Sequence, residues 1–116
     1  MAPKAAPMSF RTQLSQQLEL LQQLQNEFFE QTLEQAIELI SGCLQQQRPL
    51  LICGNGGSAA DALHISGELV GRFLRERRGL NVVCLNANVS VLTAWANDYD
   101  YDSAFARQVE AHGQAG

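Results

Sequence analysis

The chain opens with two stretches in which apolar residues recur every three or four positions, the spacing of one face of an α-helix. The first stretch predicts a helix from Ser9, with apolar positions at Phe10, Leu14, Leu18, Leu21, Leu24 and Phe28. The second predicts a helix that ends over residues 45–49, with apolar positions at Phe29, Leu33, Ile37, Ile40 and Leu44. Glutamines fill the other faces, and we expect a bend or break near residues 26–29.

After Pro49 the pattern changes to a short continuous apolar stretch, residues 50–53, which ends at Gly54. Such a stretch is typical of a buried strand in a parallel sheet, and residues 81–85 predict a second one. The segment between them predicts a helix over residues 58–78, with Ser58 as its N-cap and Gly79 as its C-cap. Two strands joined by a helical crossover are expected to be parallel.

Two shorter helices are predicted after the second strand. One covers residues 89–95 with Asn88 or Ser90 as its cap, and one covers residues 103–111 with Asp102 or Ser103 as its cap. A polar loop at residues 97–102 connects them. Because a parallel sheet is buried on both faces and usually has more than two strands, we expect this α/β domain to be completed by further chain or by another copy.

The composition is that of a folded domain, with 46% hydrophobic and 17% charged residues in a chain of 116. A net charge of −4 argues against direct nucleic-acid binding. No leader and no stretch long enough to span a membrane is visible, which predicts a cytoplasmic protein without a membrane partner. The three cysteines include no C-x-x-C pair, so we expect reduced thiols rather than disulfides or structural zinc.

The candidate chemistry begins with a glycine-rich loop between the first strand and its helix. Gly54, Gly56 and Gly57 permit a sharp turn and the close approach of a ligand. The N-terminus of the following helix presents free N–H groups and the positive end of the helix dipole. The loop is therefore suited to a phosphate.

A nucleotide cofactor is not expected, although the loop fits the dinucleotide pattern G-x-G-x-x-A. Dinucleotide-binding folds need an acidic residue near the end of the second strand to hold the ribose. Asn86, Ala87 and Asn88 occupy that end. The Gly-Lys-Ser/Thr of a P-loop is also missing from the loop.

A polar stripe follows the loop on the predicted helix. Asp61, His64, Glu68 and Arg72 recur at spacings of three and four residues, so a ligand bound at the loop would meet them. Two other interpretations fit the same spacing. The stripe is a solvated face with pairs such as Glu68–Arg72, or His64 and Glu68 ligate a metal ion with further ligands from elsewhere.

The most specific pattern in the chain is residues 53–73, CGNGGSAADALHISGELVGRF. It closely resembles the signature of bacterial phosphoheptose isomerases, members of the sugar isomerase (SIS) domain superfamily. The similarity continues through residues 75–78, 92–98 and 105–109. The resemblance implies an α/β fold in which N-terminal helices (residues 9–48, for oligomerisation into a homotetramer) precede the first part of a flavodoxin-like parallel sheet with flanking helices (residues 49–116). Residues 1–8 are predicted to be a disordered tail.

The resemblance also implies an activity and its residues. The family interconverts sedoheptulose 7-phosphate and D-glycero-D-manno-heptose 7-phosphate. Glu68 is implied as the catalytic base, and the implied substrate-binding residues are Asn55, Gly56, Gly57, Ser58, Arg72, Asn97 and Asp98. Some members carry zinc, for which His64 and Glu68 match the available ligands. The family's chain continues beyond the position of Gly116 with a second phosphate loop and a second catalytic histidine, so we expect a truncated form whose own activity is open.

Two other functions remain as alternatives. One is that of non-catalytic SIS proteins that bind the bacterial replication initiator and regulate chromosomal replication. Those proteins generally lack a base at the position of Glu68, so the presence of His64 and Glu68 favours the isomerase. The other is a sugar-phosphate sensor without chemistry.

Overall fold

A computed structural model describes residues 9–115 of the chain. The elements in order are α1 (Phe10–Leu24), α2 (Glu27–Gln45), β1 (Leu50–Ile52), α3 (Gly57–Val70), β2 (Val82–Cys84), α4 (Val89–Asp98) and α5 (Ala104–His112). The predicted disordered tail, residues 1–8, lies outside the described residues. The chain divides into two compact units, one ending at Glu38 and one beginning at Leu39.

The first unit contains α1 and the beginning of α2, and the predicted break between the two helices is confirmed. Asn26 makes this break with one side chain. Its Nδ2 donates to the carbonyl of Gln23, 2.7 Å away, and its Oδ1 accepts from the N–H of Phe29, 2.9 Å away. The side-chain amide of Asn26 thus bonds one free carbonyl at the end of α1 and one free N–H at the start of α2. The break between the helices therefore needs no proline.

The apolar stripes of the first unit lie open. No residue of α1 is buried, and the rings of Phe10 and Phe28 are 78% and 79% exposed. The large apolar side chains of these helices are therefore in contact with solvent.

The second unit contains the sheet, whose two strands are parallel as predicted. Leu50 pairs with Val82 and Ile52 pairs with Cys84. Both strands are shorter than predicted, and β1 ends before Gly54, whose N–H bonds a side chain instead of a neighbouring strand. The buried apolar residues are Leu44, Ala62, Val82, Cys84, Leu85 and Ala104.

Helix α3 corrects two predictions made from the sequence. The N-cap is Gly56 rather than Ser58, because the carbonyl of Gly56 already accepts from the N–H groups of Ala59 and Ala60. The helix ends at Val70 rather than at residue 78. Its last carbonyls are bound by Arg77 and by the N–H of Leu80, so the chain turns back at this point instead of continuing the helix.

Helix α4 is longer than predicted, and Asn97 and Asp98 therefore lie in its last turn rather than in a polar loop. Asn88 is confirmed as its cap, since Asn88 Oδ1 accepts from the N–H of Val91 at 3.1 Å. Helix α5 starts one residue later than predicted, with Ser103 as its N-cap residue. Within residues 9–115, no helix combines the length and the hydropathy that crossing a bilayer requires.

The last helix is attached to the sheet by a buried polar side chain. Gln108 of α5 is buried, and its Nε2 donates to the carbonyl of Leu85 at 3.0 Å. This bond satisfies a carbonyl just beyond the end of β2. It fixes α5 beside the carboxyl edge of the sheet, where the glycine loop also lies.

Candidate functional site

The glycine loop connects β1 to α3, and two of its three glycines are required by the backbone itself. A Cβ at Gly54 would lie 2.6 Å from the carbonyl carbon and oxygen of Ser58. Gly56 has a φ of +57°, which side chains disfavour. A Cβ at Gly57 would meet no atom within 4 Å. The loop is therefore shaped by Gly54 and Gly56, and Gly57 keeps its surface open.

Asn86 holds this loop against the end of the neighbouring strand. The N–H of Gly54 donates to Asn86 Oδ1 at 3.0 Å, and Asn86 Nδ2 donates to the carbonyl of Gly54 at 2.8 Å. An amide carries both a donor and an acceptor, whereas an ionised carboxylate only accepts. Asn86 thus stands where a dinucleotide-binding fold needs an acid, and its side chain bonds both the N–H and the carbonyl of Gly54.

The loop leaves donors available to a ligand. Among residues 9–115, the backbone N–H groups of Gly56 and Gly57 have no hydrogen-bond partner. Ser58 is the second residue of the helix, and its own N–H donates to the carbonyl of Asn55 at 3.1 Å. Free N–H groups at the N-terminus of α3 are suited to an anion, as the sequence predicted.

Asn55 is tied to a part of the chain that sequence reasoning did not connect with the loop. The hydroxyl of Tyr101, in the turn between α4 and α5, donates to Asn55 Oδ1 at 2.5 Å. Nothing in the local sequence signals this contact, because 46 positions separate the two residues.

The polar face of α3 lies beyond the loop. His64 Nε2 and Glu68 Oε1 are 3.4 Å apart, and their side chains are 76% and 43% exposed. Together with Asp61 they line a groove of about 460 Å³ whose apolar side includes Ile65 and Phe73. The helical spacing thus brings Asp61, His64 and Glu68 to one face.

Arg72 departs from the predicted stripe because α3 has already ended. Its guanidinium Nη1 pairs with Glu76 Oε2 at 3.0 Å, and both side chains are largely exposed. The proposed Glu68–Arg72 surface pair is therefore wrong, and Glu68 is paired with His64 instead. Arg72 and Glu68 still line one cleft of about 280 Å³.

Arg77 fixes the end of the helix that carries Glu68, and sequence reasoning missed it. Its Nη1 donates to the carbonyls of Leu69, Gly71 and Arg78 at 2.8–3.1 Å. Its Nη2 donates to the carbonyl of Glu68 itself at 3.1 Å. A cation at a helix C-terminus is favoured by the helix dipole. The signal was present but not specific, since arginines also stand at positions 72, 75 and 78.

Asn97 and Asp98 lie together, and Asp98 lines a different hollow from those that Glu68 lines. Asn97 Nδ2 donates to Asp98 Oδ1 at 2.9 Å. Asp98 lines a hollow of about 430 Å³ between α4 and α5, beside Trp95 and Arg107. Arg107 lies 5.0 Å from the centroid of the Trp95 ring, a cation–π contact that joins the two helices.

The turn between α4 and α5 is fixed by Ser103. Its N–H donates to Asp100 Oδ1 at 2.7 Å, and its Oγ accepts from Trp95 Nε1 at 2.9 Å. Hydrogen bonds from the Ser103 hydroxyl and from its N–H lower the pKa of Asp100 below the ordinary value of 3.8. The charged form of Asp100 therefore stabilises the turn that carries Tyr101.

The residues present do not make a zinc site by themselves. Among residues 9–115, no group of three or more His, Cys, Asp and Glu side chains is placed to hold a metal ion. Catalytic zinc takes three protein ligands, and this face of α3 offers His64 and Glu68. A zinc ion bound at this face would therefore need a third ligand from outside the described residues.

The chain is similar to known proteins over most of its length. Residues 13–115 match the SIS domain family. The chain is 47% identical to the phosphoheptose isomerase of Crocosphaera subtropica over 103 residues, which cover 89% of this chain and 53% of that protein. It is 52% identical to the phosphoheptose isomerase of Helicobacter pylori over 87 residues, covering 75% of this chain and 45% of that protein.

Solved structures show the same similarity. A phosphoheptose isomerase from Neisseria gonorrhoeae superposes with a TM-score of 0.78 at 38% identity, over 90% of this chain and 53% of that one. One from Francisella tularensis gives a TM-score of 0.75 at 30% identity, over 92% and 58%. The resemblance and the α/β fold class predicted from the sequence are confirmed. The chain spans about half the length of these relatives.

Proposed function

The chain belongs to the SIS domain family, and on that premise we propose that it forms part of an aldose–ketose isomerase acting on sedoheptulose 7-phosphate and D-glycero-D-manno-heptose 7-phosphate. The observation that carries the proposal is the joint placement of two features on α3. A glycine loop with free N–H groups lies at the N-terminus of this helix, and Glu68 lies on its polar face. An anion-binding loop and a carboxylate on one rigid helix suit a phosphorylated substrate that must lose a proton.

In the proposed complex the glycine loop binds the substrate. The N–H groups of Gly56 and Gly57, the hydroxyl of Ser58 and the amide of Asn55 supply donors to its oxygens. The guanidinium of Arg72 adds a positive charge at the cleft that it shares with Glu68. Binding the substrate through groups remote from the reacting carbons holds those carbons near the base.

Glu68 is the proposed base. Its carboxylate removes the proton from the carbon next to the carbonyl, and the electron pair of that C–H bond moves to form the enediol. Return of a proton to the neighbouring carbon, with a proton shift between the two oxygens, completes the isomerisation. His64, 3.4 Å from the carboxylate, is placed to orient it. The acid for the substrate oxygen is proposed to come from the family's C-terminal histidine, beyond this sequence.

The proposal has three further parts. Asn97 and Asp98 are proposed as substrate ligands on the resemblance alone, since Asp98 lines a hollow other than that of Glu68. Zinc binding by His64 and Glu68 would need at least one more ligand from outside residues 9–115. Absence of a nucleotide cofactor is supported by Asn86, whose amide groups are used by Gly54.

We also propose a homotetrameric, cytoplasmic protein without direct nucleic-acid or membrane partners. The exposed apolar faces of α1 and α2 support assembly, because association would remove that surface from water. Light scattering of the purified chain tests the assembly. A mass corresponding to a monomer at micromolar concentration would contradict it.

The proposed chemistry is tested by turnover of sedoheptulose 7-phosphate by the complete isomerase of which this chain forms part, with and without Glu68→Gln. Loss of the base is expected to lower the rate at least about a hundredfold. Glu110→Gln is the matched control, because Glu110 is an exposed carboxylate paired with Arg107 on α5 and should leave the rate unchanged. Equal, measurable rates with and without Glu68→Gln would remove Glu68 as the base. Binding of a replication initiator without turnover would favour the regulatory alternative.

A further inference from the structure

The glycine loop and the turn between α4 and α5 are joined by one side-chain hydrogen bond, from the Tyr101 hydroxyl to Asn55 Oδ1. We propose that Tyr101 is a positioning residue that orients the Asn55 amide, so that its N–H donors face a ligand bound at the glycine loop. The inference deepens the proposed function and rests on it for the identity of the ligand, a sugar phosphate.

The direction of the amide follows from its partner. An asparagine side chain has an accepting oxygen on one side and a donating NH₂ group on the other. The separation of 2.5 Å fits an O–H···O bond, which is shorter than a usual N–H···O bond. With Oδ1 occupied by Tyr101, the two N–H bonds of Nδ2 are left without a partner among residues 9–115.

This orientation selects a class of ligand. The ionised oxygens of a phosphate only accept hydrogen bonds, so they are bound by the NH₂ side of Asn55 and repelled by its Oδ1 side. A freely rotating amide would present the wrong side part of the time. Because the amide is already held in one orientation, no conformational entropy is lost in orienting it when the ligand binds.

The position of the Tyr101 hydroxyl is set independently of the loop. Its ring packs edge-on against Phe105, with centroids 6.0 Å apart and planes at 71°. The turn that carries it is fixed by the hydrogen bonds of Ser103 to Asp100 and Trp95. Contacts with α4 and α5 therefore fix the position of Tyr101. Its hydrogen bond to Asn55 in turn restricts the motion of the glycine loop.

The first test needs no ligand and uses Tyr101→Phe, which removes the hydroxyl and keeps the ring. Tyr99→Phe is the matched control. The rings of Tyr99 and Trp95 are stacked with their centroids 4.3 Å apart, and the Tyr99 hydroxyl makes no hydrogen bond with the described residues. We expect the NMR signals of the Asn55 side-chain NH₂ to shift and its mobility to increase in Tyr101→Phe. Tyr99→Phe should leave both unchanged.

The second test measures binding of sedoheptulose 7-phosphate by titration. Loss of the orienting bond is expected to weaken binding roughly three- to tenfold in Tyr101→Phe. In a chain that already carries Asn55→Ala, adding Tyr101→Phe should weaken it no further, because both changes remove the same arrangement. Additive losses would mean that Tyr101 acts without Asn55 and would overturn the inference.

Failure of the inference and failure of the proposed function give different results. An Asn55 amide whose signals and mobility are the same in the chain and in Tyr101→Phe overturns the inference alone. Absence of sugar-phosphate binding by the unsubstituted chain overturns the proposed function, and the ligand-facing role of Asn55 with it. Weaker binding in Tyr101→Phe with a released Asn55 amide supports both.

Discussion

The two ends of α3 are fixed in different ways. At its N-terminus the glycine loop is held by Asn86 and Tyr101, which stand 32 and 46 positions away from their partners. At its C-terminus the last carbonyls are held by Arg77 and by the N–H of Leu80, within eleven positions of their partners. The proposed ligand-binding end thus depends on the whole second unit, whereas the end next to Glu68 depends on its neighbours in sequence.

This difference predicts that a substitution at the N-terminal end of α3 also perturbs the sheet and α4–α5. A substitution at the C-terminal end should perturb only the residues next to it. Long-range hydrogen bonds form only when the sheet and α4–α5 are in place. Local bonds form whenever the segment after the helix turns back. Substitutions at the two ends can separate these behaviours.

The largest effect is expected for Gly54→Ala. Its Cβ would lie 2.6 Å from backbone atoms of Ser58, which cannot rotate away as a side chain can. We expect a loss of unfolding free energy toward the upper end of roughly 1–3 kcal/mol, measured by urea unfolding at one protein concentration. Gly57→Ala is the control, since its Cβ meets nothing within 4 Å and alanine favours a helix. Equal midpoints for the two variants would show that the loop adjusts freely.

Asn86→Asp is expected to have the next largest effect. The carboxylate keeps the acceptor for the N–H of Gly54 but loses the donor, and it faces the Gly54 carbonyl that was 2.8 Å from Nδ2. The expected loss of unfolding free energy is about 2 kcal/mol. Amide exchange should accelerate in the loop and in β2 together, because Asn86 connects them.

A matched asparagine is available as the control. Asn88 only accepts, from the N–H of Val91, and aspartate accepts equally well at an N-cap. Asn88→Asp should therefore retain the unfolding free energy of the unsubstituted chain. A similar loss in both variants would mean that added negative charge, rather than the missing donor, causes the effect.

At the other end of α3, Arg77→Ala removes four hydrogen bonds to carbonyls of a partly exposed segment. The expected loss of unfolding free energy is about 1 kcal/mol, since part of these carbonyls can bond water instead. Amide exchange should accelerate over the last turn of α3 and leave Gly54 and Gly56 unchanged. Arg75→Ala, an exposed arginine two positions earlier, is the control. Faster exchange in the glycine loop of Arg77→Ala would contradict the local character of this end.

The same division explains what the sequence could predict. Helical and strand periodicity and the glycine loop are local patterns, and the sequence predicts them. The parallel pairing is also predicted, because two strands joined by a helical crossover are normally parallel. The sequence identifies Asn86 only as a residue that stands where a dinucleotide-binding fold needs an acid, and it does not identify Tyr101. The reason is that the partners of both residues are distant in sequence. Ser58 was wrong as a cap because the positive φ of Gly56 starts the helix earlier.

Arg72 shows how an error in the predicted end of a helix changes the predicted site. Its place on the polar stripe depended on a helix continuing to residue 78, but α3 ends at Val70. Arg77 bonds the last carbonyls of α3 through contacts that no periodicity reveals. Asp61, His64 and Glu68 lie within the helix, and their shared face was correctly predicted from spacing alone.

The smallest effect is expected for the turn that supports the N-terminal end. The lowered pKa of Asp100 means that its charged form is favoured in the folded chain. Its contribution is fully present above the ordinary value of 3.8 and is lost as the pH falls through the lowered folded pKa. We expect the NMR signals of the Tyr101 ring and the Asn55 side-chain NH₂ to shift together in that acidic range. Asp100→Asn should abolish this shift, and Asp102→Asn, in the same turn, should retain it. If the Asn55 signals keep their pH dependence in Asp100→Asn, then the charge of Asp100 does not affect the glycine loop through Tyr101.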